Sequence, residues 1–151
     1  MARIQGLTFS KLKGKKFVKE FAGHSEETIK STYGFSTVDE VLNSSTLQSY
    51  LNLGTNYRIN AAITIGALLH RKPQEFTENQ LIKSINILST IIEKSHGLTL
   101  QTSFPFLVTL LGSLMYKLLN ELNKSTKEVL PKLTLGRKTM NFLKEHQISY
   151  A

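Results

Sequence analysis

Residues 77–95 read TENQLIKSINILSTIIEKS. Leu81, Ile82, Ile85, Leu88 and Ile92 recur at intervals of three and four, which lines them along one side of an α-helix; a strand would need strict alternation. Thr77 followed by Gln80 matches the reciprocal pattern that satisfies the first amides of a helix. Gly97 predicts the stop, because glycine tolerates the left-handed backbone that closes many helices. Upstream, Pro73 separates this helix from a second one. Residues 57–71 read YRINAAITIGALLHR. Ile59, Ala62, Ile63, Gly66 and Leu69 mark one side, and Ala61, Ile65 and Leu68 the other. A helix apolar nearly all round belongs in the middle of a fold.

The same pattern extends outward. Ser36 or Thr37 can cap a helix bearing Val38, Val41, Leu42, Tyr50 and Leu51, with Gly54 as its end, and Thr37 with Glu40 repeats the capping pattern. Tyr33-Gly34-Phe35 reads as a connector. Leu98 to Thr102 has no strand partner and reads as a loop. Ser103 then opens a helix with Pro105 in its first turn, where a missing N–H costs nothing. Leu107, Val108, Leu111, Leu114, Met115, Leu118, Leu119 and Leu122 fill that helix. A last helical region, 126–146, is interrupted by Pro131 and Gly136, with Leu130, Leu133, Met140 and Leu143 on its buried side. Residues 7–22 place Phe9, Leu12, Phe17, Val18 and Phe21 among five lysines, which predicts a further helix bent or broken at Gly14. The expected class is all-α: a compact helical bundle over 36–151, preceded by a basic N-terminal helical arm over 1–35.

Charge divides the chain differently. Its 151 residues carry a net +8. Residues 1–24 hold six basic residues against one acidic, a net +5; residues 25–123 hold seven against eight, a net −1; residues 124–151 hold six against two, a net +4. The excess therefore sits at the two ends. With no cysteine, disulfides, thiolate zinc sites and a cysteine nucleophile are excluded. Lysines interrupt the first apolar run, so no secretory signal is expected. The stretch from Phe104 to Leu122 includes Lys117, Asn120 and Glu121 and does not read as a membrane span. The glycosylation triplets at Asn43 and Asn123 read as chance.

No catalytic grouping is apparent. His24, His70, His96 and His146 stand apart from one another and fall near expected helix ends, so no metal is expected. Glu26-Glu27 and Asp39-Glu40 are adjacent pairs. Neighbouring side chains on a helix point apart, so these suit first-turn dipole partners better than an acid–base dyad. Gly112-Ser113 and Gly136-Arg137-Lys138 lack the remainder of a phosphate-binding loop. The expectation is a non-enzyme without a cofactor.

At the N-terminus, Lys11, Lys15 and Lys19 follow each other at one-turn spacing and form one cationic stripe on a helix, with Lys16 beside it. Three readings fit: a helix contacting phosphates, a solvated face of an ordinary helix, or an amphipathic helix on an anionic membrane. The second basic patch, Lys132, Arg137 and Lys138, favours the first, since a polyanion is held over an area. Lysine is a point charge and not a bidentate donor, so contact with the backbone fits better than base reading.

Met1-Ala2-Arg3, Phe9-Ser10, Gly14-Lys15, Lys19 and Ala22 resemble the start of the major coat proteins of rod-shaped and filamentous archaeal double-stranded DNA viruses. The resemblance implies a virion subunit, assembled in the host cytoplasm. Its basic arm wraps DNA held in the A form, and its bundle polymerises with itself or with a paralogous coat subunit into a helical filament. Arg3, Lys11, Lys13, Lys15, Lys16 and Lys19 would then contact phosphates. A second stretch, Ile91-Ile92 through Ser95-His96-Gly97-Leu98 with Phe104 and Phe106, is similar to small helical subunits of CRISPR effector complexes. That likeness implies a nucleic-acid-binding subunit of a ribonucleoprotein.

Overall fold

The computed structural model describes residues 4–5, 30–31, 33–34, 36–145 and 149–150. The described chain is all-α, as its periodicity predicts. Its helices are α1 (Val38–Leu42), α2 (Ser45–Leu51), α3 (Thr55–Arg71), α4 (Glu78–Lys94), α5 (Gly97–Tyr116), α6 (Thr126–Val129) and α7 (Arg137–Glu145). Short 3₁₀ turns lie at Pro73–Glu75 and Leu130–Lys132, and a π turn, Lys117–Glu121, continues α5. A two-residue ladder pairs Ile4–Gln5 (β1) antiparallel with Ser149–Tyr150 (β2). The expected helix over 7–22 and the expected phosphate contacts Arg3, Lys11, Lys13, Lys15, Lys16 and Lys19 lie outside the described residues, as do His24 and His146.

Helices α3, α4 and α5 form the centre. On α3, Ile59, Ala61, Ala62, Ile65, Ala67 and Leu68 are all buried, and Ala61, Ala62 and Gly66 keep its surface thin enough for close neighbours. Helix α4 touches α1, α3, α5, α7 and the π turn. Its buried side is therefore wider than the stripe read from the sequence. Ile87 and Ile91 join the core, whereas Ile82 is only partly covered. The largest wholly enclosed side chains include Phe76, Phe106, Ile85 and Leu88.

Three boundaries depart from expectation. The segment 38–51 is two helices, because Ser44 ends one and starts the next: its hydroxyl donates to the Val41 carbonyl at 2.7 Å and accepts the Leu47 amide at 3.1 Å. Residues 98–102 are helical. Gly97, at φ +77°, turns the chain directly from α4 into α5, so Pro105 lies inside that helix and not in its first turn. Proline there removes one backbone hydrogen bond. Its ring and Gln101 both face outward, while Leu100 is buried, so packing outweighs a loss that water can repair. Thr77 does not close a capping box; its hydroxyl meets the Gln80 side-chain oxygen. The reciprocal box that does form joins Ser125 and Glu128 ahead of α6.

The stretch Gly97–Glu121 is long and apolar enough to cross a membrane by length and composition, with a mean hydropathy of 1.4. More than half of it is buried against the other helices, including Leu107, Leu110, Leu111 and Leu114.

Candidate polyanion interface

Of the expected nucleic-acid contacts, the structure describes Lys132, Arg137 and Lys138. The structure does not gather them into one patch: the Lys132 ammonium is held at the first turn of α4 and that of Lys138 at its far end. The Lys132 ammonium is 2.9 Å from Glu78 Oε1, and Lys124 approaches the other oxygen of the same carboxylate at 3.1 Å. These two lysines hold the Glu78 carboxyl below its usual range. The Lys138 ammonium donates to the Ser95 carbonyl at the end of α4, where the unpaired carbonyls of a helix favour a cation. Arg137 is exposed, and among the described residues no ion pair engages its guanidinium.

What positions Arg137 is the docking of α7 on α4. Thr139, Phe142 and Leu143 are buried, and the Phe142 ring meets Phe104 edge to face at 4.4 Å. The start of α7 is held by polar groups of α4. Glu93 Oε2 accepts the Thr139 amide at 2.6 Å and its hydroxyl at 2.7 Å, and Oε1 accepts the Lys138 amide at 3.3 Å. Ser89 takes the Gly136 amide at 3.1 Å and shares a buried hydrogen bond with Thr139. Glu93 thus acts as the N-terminal cap of α7, supplied by another helix. Glu75 does the same for α1, accepting the Val38 amide at 2.9 Å.

Partial burial pushes the Glu93 carboxyl up. The Thr139 hydroxyl, the Thr139 and Lys138 amides and the Lys138 charge together outweigh this and hold it below its ordinary value. A carboxyl lowered by folding contributes stability above its unfolded pKa and loses it as pH falls through the folded one. The urea midpoint should therefore fall on acidification below the ordinary glutamate range, and Glu93→Gln should reduce that dependence. An identical pH profile in the two proteins would refute the capping role.

With the start of α7 held in this way, Arg137, Asn141 and Lys144 share its outward face, all exposed, at intervals of four and three. Asn141 and Lys144 stand at helical spacing from Arg137, yet the sequence alone does not mark them. They share a face only because α7 starts at Arg137 and buries Thr139.

Elsewhere, a groove of about 820 Å³ runs between α2 and α4, lined by Gln48, Asn52, Asn79, Gln80, Lys83 and Lys94 among others. Most of these groups bond each other or nearby backbone. Lys83 donates to Asn43 at 2.6 Å, Lys94 to Asn52 at 3.1 Å, and Gln48 to the Leu42 carbonyl. The groove is a stitched boundary between helices. Among the described residues no group of three potential metal ligands occurs. His70 lies in the last turn of α3 and His96 just before α5; Asp39 and Glu40 lie in the first turn of α1.

The chain matches no protein-family model, no curated protein and no solved structure.

Proposed function

We infer that this protein is a non-catalytic coating protein. Its basic leading segment straps the phosphate backbone of double-stranded DNA without reading sequence, while its helical bundle packs against further subunits to form the wall of a filament, as in a virion. The observation that carries this is where uncompensated charge lies. In the bundle, Lys72, Lys83, Lys117, Lys124 and Lys132 each have a carboxylate oxygen within 4.0 Å. The leading segment has six cations and one carboxylate in its first 24 residues. Each phosphate neutralised there releases counterions, which favours binding in low salt and any sequence.

Purified protein added to linear duplex DNA should give nuclease-resistant filaments by electron microscopy. Monomers that leave the DNA digestible would sink the reading. Changing Lys11, Lys15 and Lys19 to alanine should flatten the slope of log affinity against log salt by up to about 3 units, since each lost contact contributes about 0.9. An unchanged slope would remove the arm from the interface.

A further inference from the structure

We propose that the outward face of α7, formed by Arg137, Asn141 and Lys144, is a second contact for the phosphodiester backbone of double-stranded DNA, and that Lys132 and Lys138 are not part of it. The proposal rests on the DNA-coating reading and specifies which surface of the bundle meets the polyanion.

The division follows from what each cation already holds. Lys132 forms an ion pair with Glu78, and Lys138 closes the end of α4 through the Ser95 carbonyl. Turning either toward DNA would give up that contact, whereas Arg137 and Lys144 have none to give up among the described residues. Arg137 and Lys144 are exposed, and neither has an ion pair among the described residues. They lie seven residues apart on one helix, roughly 10 Å along its axis at 1.5 Å per residue. Successive phosphates of one strand advance about 3.4 Å along the duplex, so the two cations match phosphates about three steps apart. Asn141 lies between them as a neutral donor, a residue type that contacts phosphate oxygens. Glu145, the one carboxylate nearby on α7, sits at the margin of the stripe.

Two further features suit this face to a polyanion. The caps from Glu93 and Ser89 and the Phe142–Phe104 contact hold α7 in place, so the stripe is ordered before any partner arrives. The ladder of Gln5 with Ser149 also brings the beginning of the chain near the end of α7. Ser149 is four residues beyond Glu145, a reach of at most about 14 Å.

The test is duplex affinity of the full-length protein across a salt series, read by fluorescence anisotropy. Arg137→Ala with Lys144→Ala should flatten the slope by about 2 units, two contacts at about 0.9 each. Lys132→Ala should leave the slope unchanged, and Arg137→Lys with Lys144→Arg should keep the wild-type value. An unchanged thermal midpoint shows that the double variant is folded. A wild-type slope in the double alanine variant would overturn the proposal while leaving the arm's role intact. So would a loss confined to anionic vesicles with duplex binding unaffected, which would assign the face to lipid. Absence of any salt-dependent duplex binding by the wild-type protein would instead overturn the DNA-coating reading on which the proposal rests.

Discussion

Replacing Arg58 with alanine should lower folding stability by about 3 to 4 kcal/mol, the largest loss expected from any single polar side chain of the bundle. Arg58 is 7% exposed. Among the described residues its guanidinium pairs with no carboxylate, and its bonds there are to neutral acceptors. Nε donates to Ser95 Oγ at 3.1 Å. One terminal nitrogen donates to the Leu53 carbonyl at 3.1 Å and reaches that of Leu51 at 3.5 Å; the other donates to the Lys94 carbonyl at 3.0 Å and Thr55 Oγ1 at 3.3 Å. The carbonyls of Leu51 and Lys94 belong to the last turns of α2 and α4, which carry partial negative charge. One cation therefore satisfies the ends of two helices. Each buried acceptor left unpaired costs about 1 to 3 kcal/mol, and partial access of water keeps the total below the full sum. At roughly 2 to 4 °C per kcal/mol, the midpoint should fall by about 10 °C. Arg58→Met, which keeps much of the volume, should be nearly as damaging as alanine. Arg58→Lys should recover only part, because an ammonium lacks the planar fork. Thermal and urea unfolding would measure all three. A methionine variant as stable as wild type would show that volume matters here and hydrogen bonding does not.

The second large effect is expected at Gly136. A Cβ there would lie 2.3 Å from Glu93 Cδ and 2.6 Å from its Cγ, far inside contact distance. The backbone at Gly136 is not in the left-handed region, so alanine meets no intrinsic strain. The three atoms nearest to it all belong to the Glu93 side chain. It can move only by giving up its bonds to Lys138 and Thr139, which leaves the start of α7 uncapped. Water reaches this carboxylate, so the cost of Gly136→Ala should be about 2 kcal/mol and not the full value of a buried charged cap. Glu93→Ala should cost a similar amount, since it removes the same cap. The two should not add. With the Glu93 side chain absent the closest clash is gone, and Gly136→Ala should then be close to neutral. A coupling energy of about 2 kcal/mol in a double-mutant cycle is the expected result, and strict additivity would contradict the clash.

These two sites also mark where reading the sequence stops. The apolar repeats at Leu81, Ile85, Leu88 and Ile92 and around Ala61, Ala62 and Ile65 were sufficient for an all-α bundle with α3 inside, because helical periodicity is local and needs no knowledge of neighbours. Thr37 and the helix-ending role of Pro73 were legible for the same reason: the first cap acts within three residues and the second within one turn. The charge surplus at the ends was also visible as a simple count.

The contacts of single side chains were not legible. Arg58 reads as a surface arginine until α2 and α4 end beside it. Glu93 reads as a last-turn carboxylate, unfavourable there, until the amides of α7 arrive across 45 residues of chain. Lys132, Arg137 and Lys138 look equivalent in sequence; the structure separates them because Glu78 and the end of α4 engage two and leave the third. The start of α5 was misplaced for a related reason, since a proline penalty is local while the burial of Leu100 that overrides it is not. Spacing along the chain decides which residues share a helix face. Which charges remain available to a partner is decided by the groups that folding brings against them.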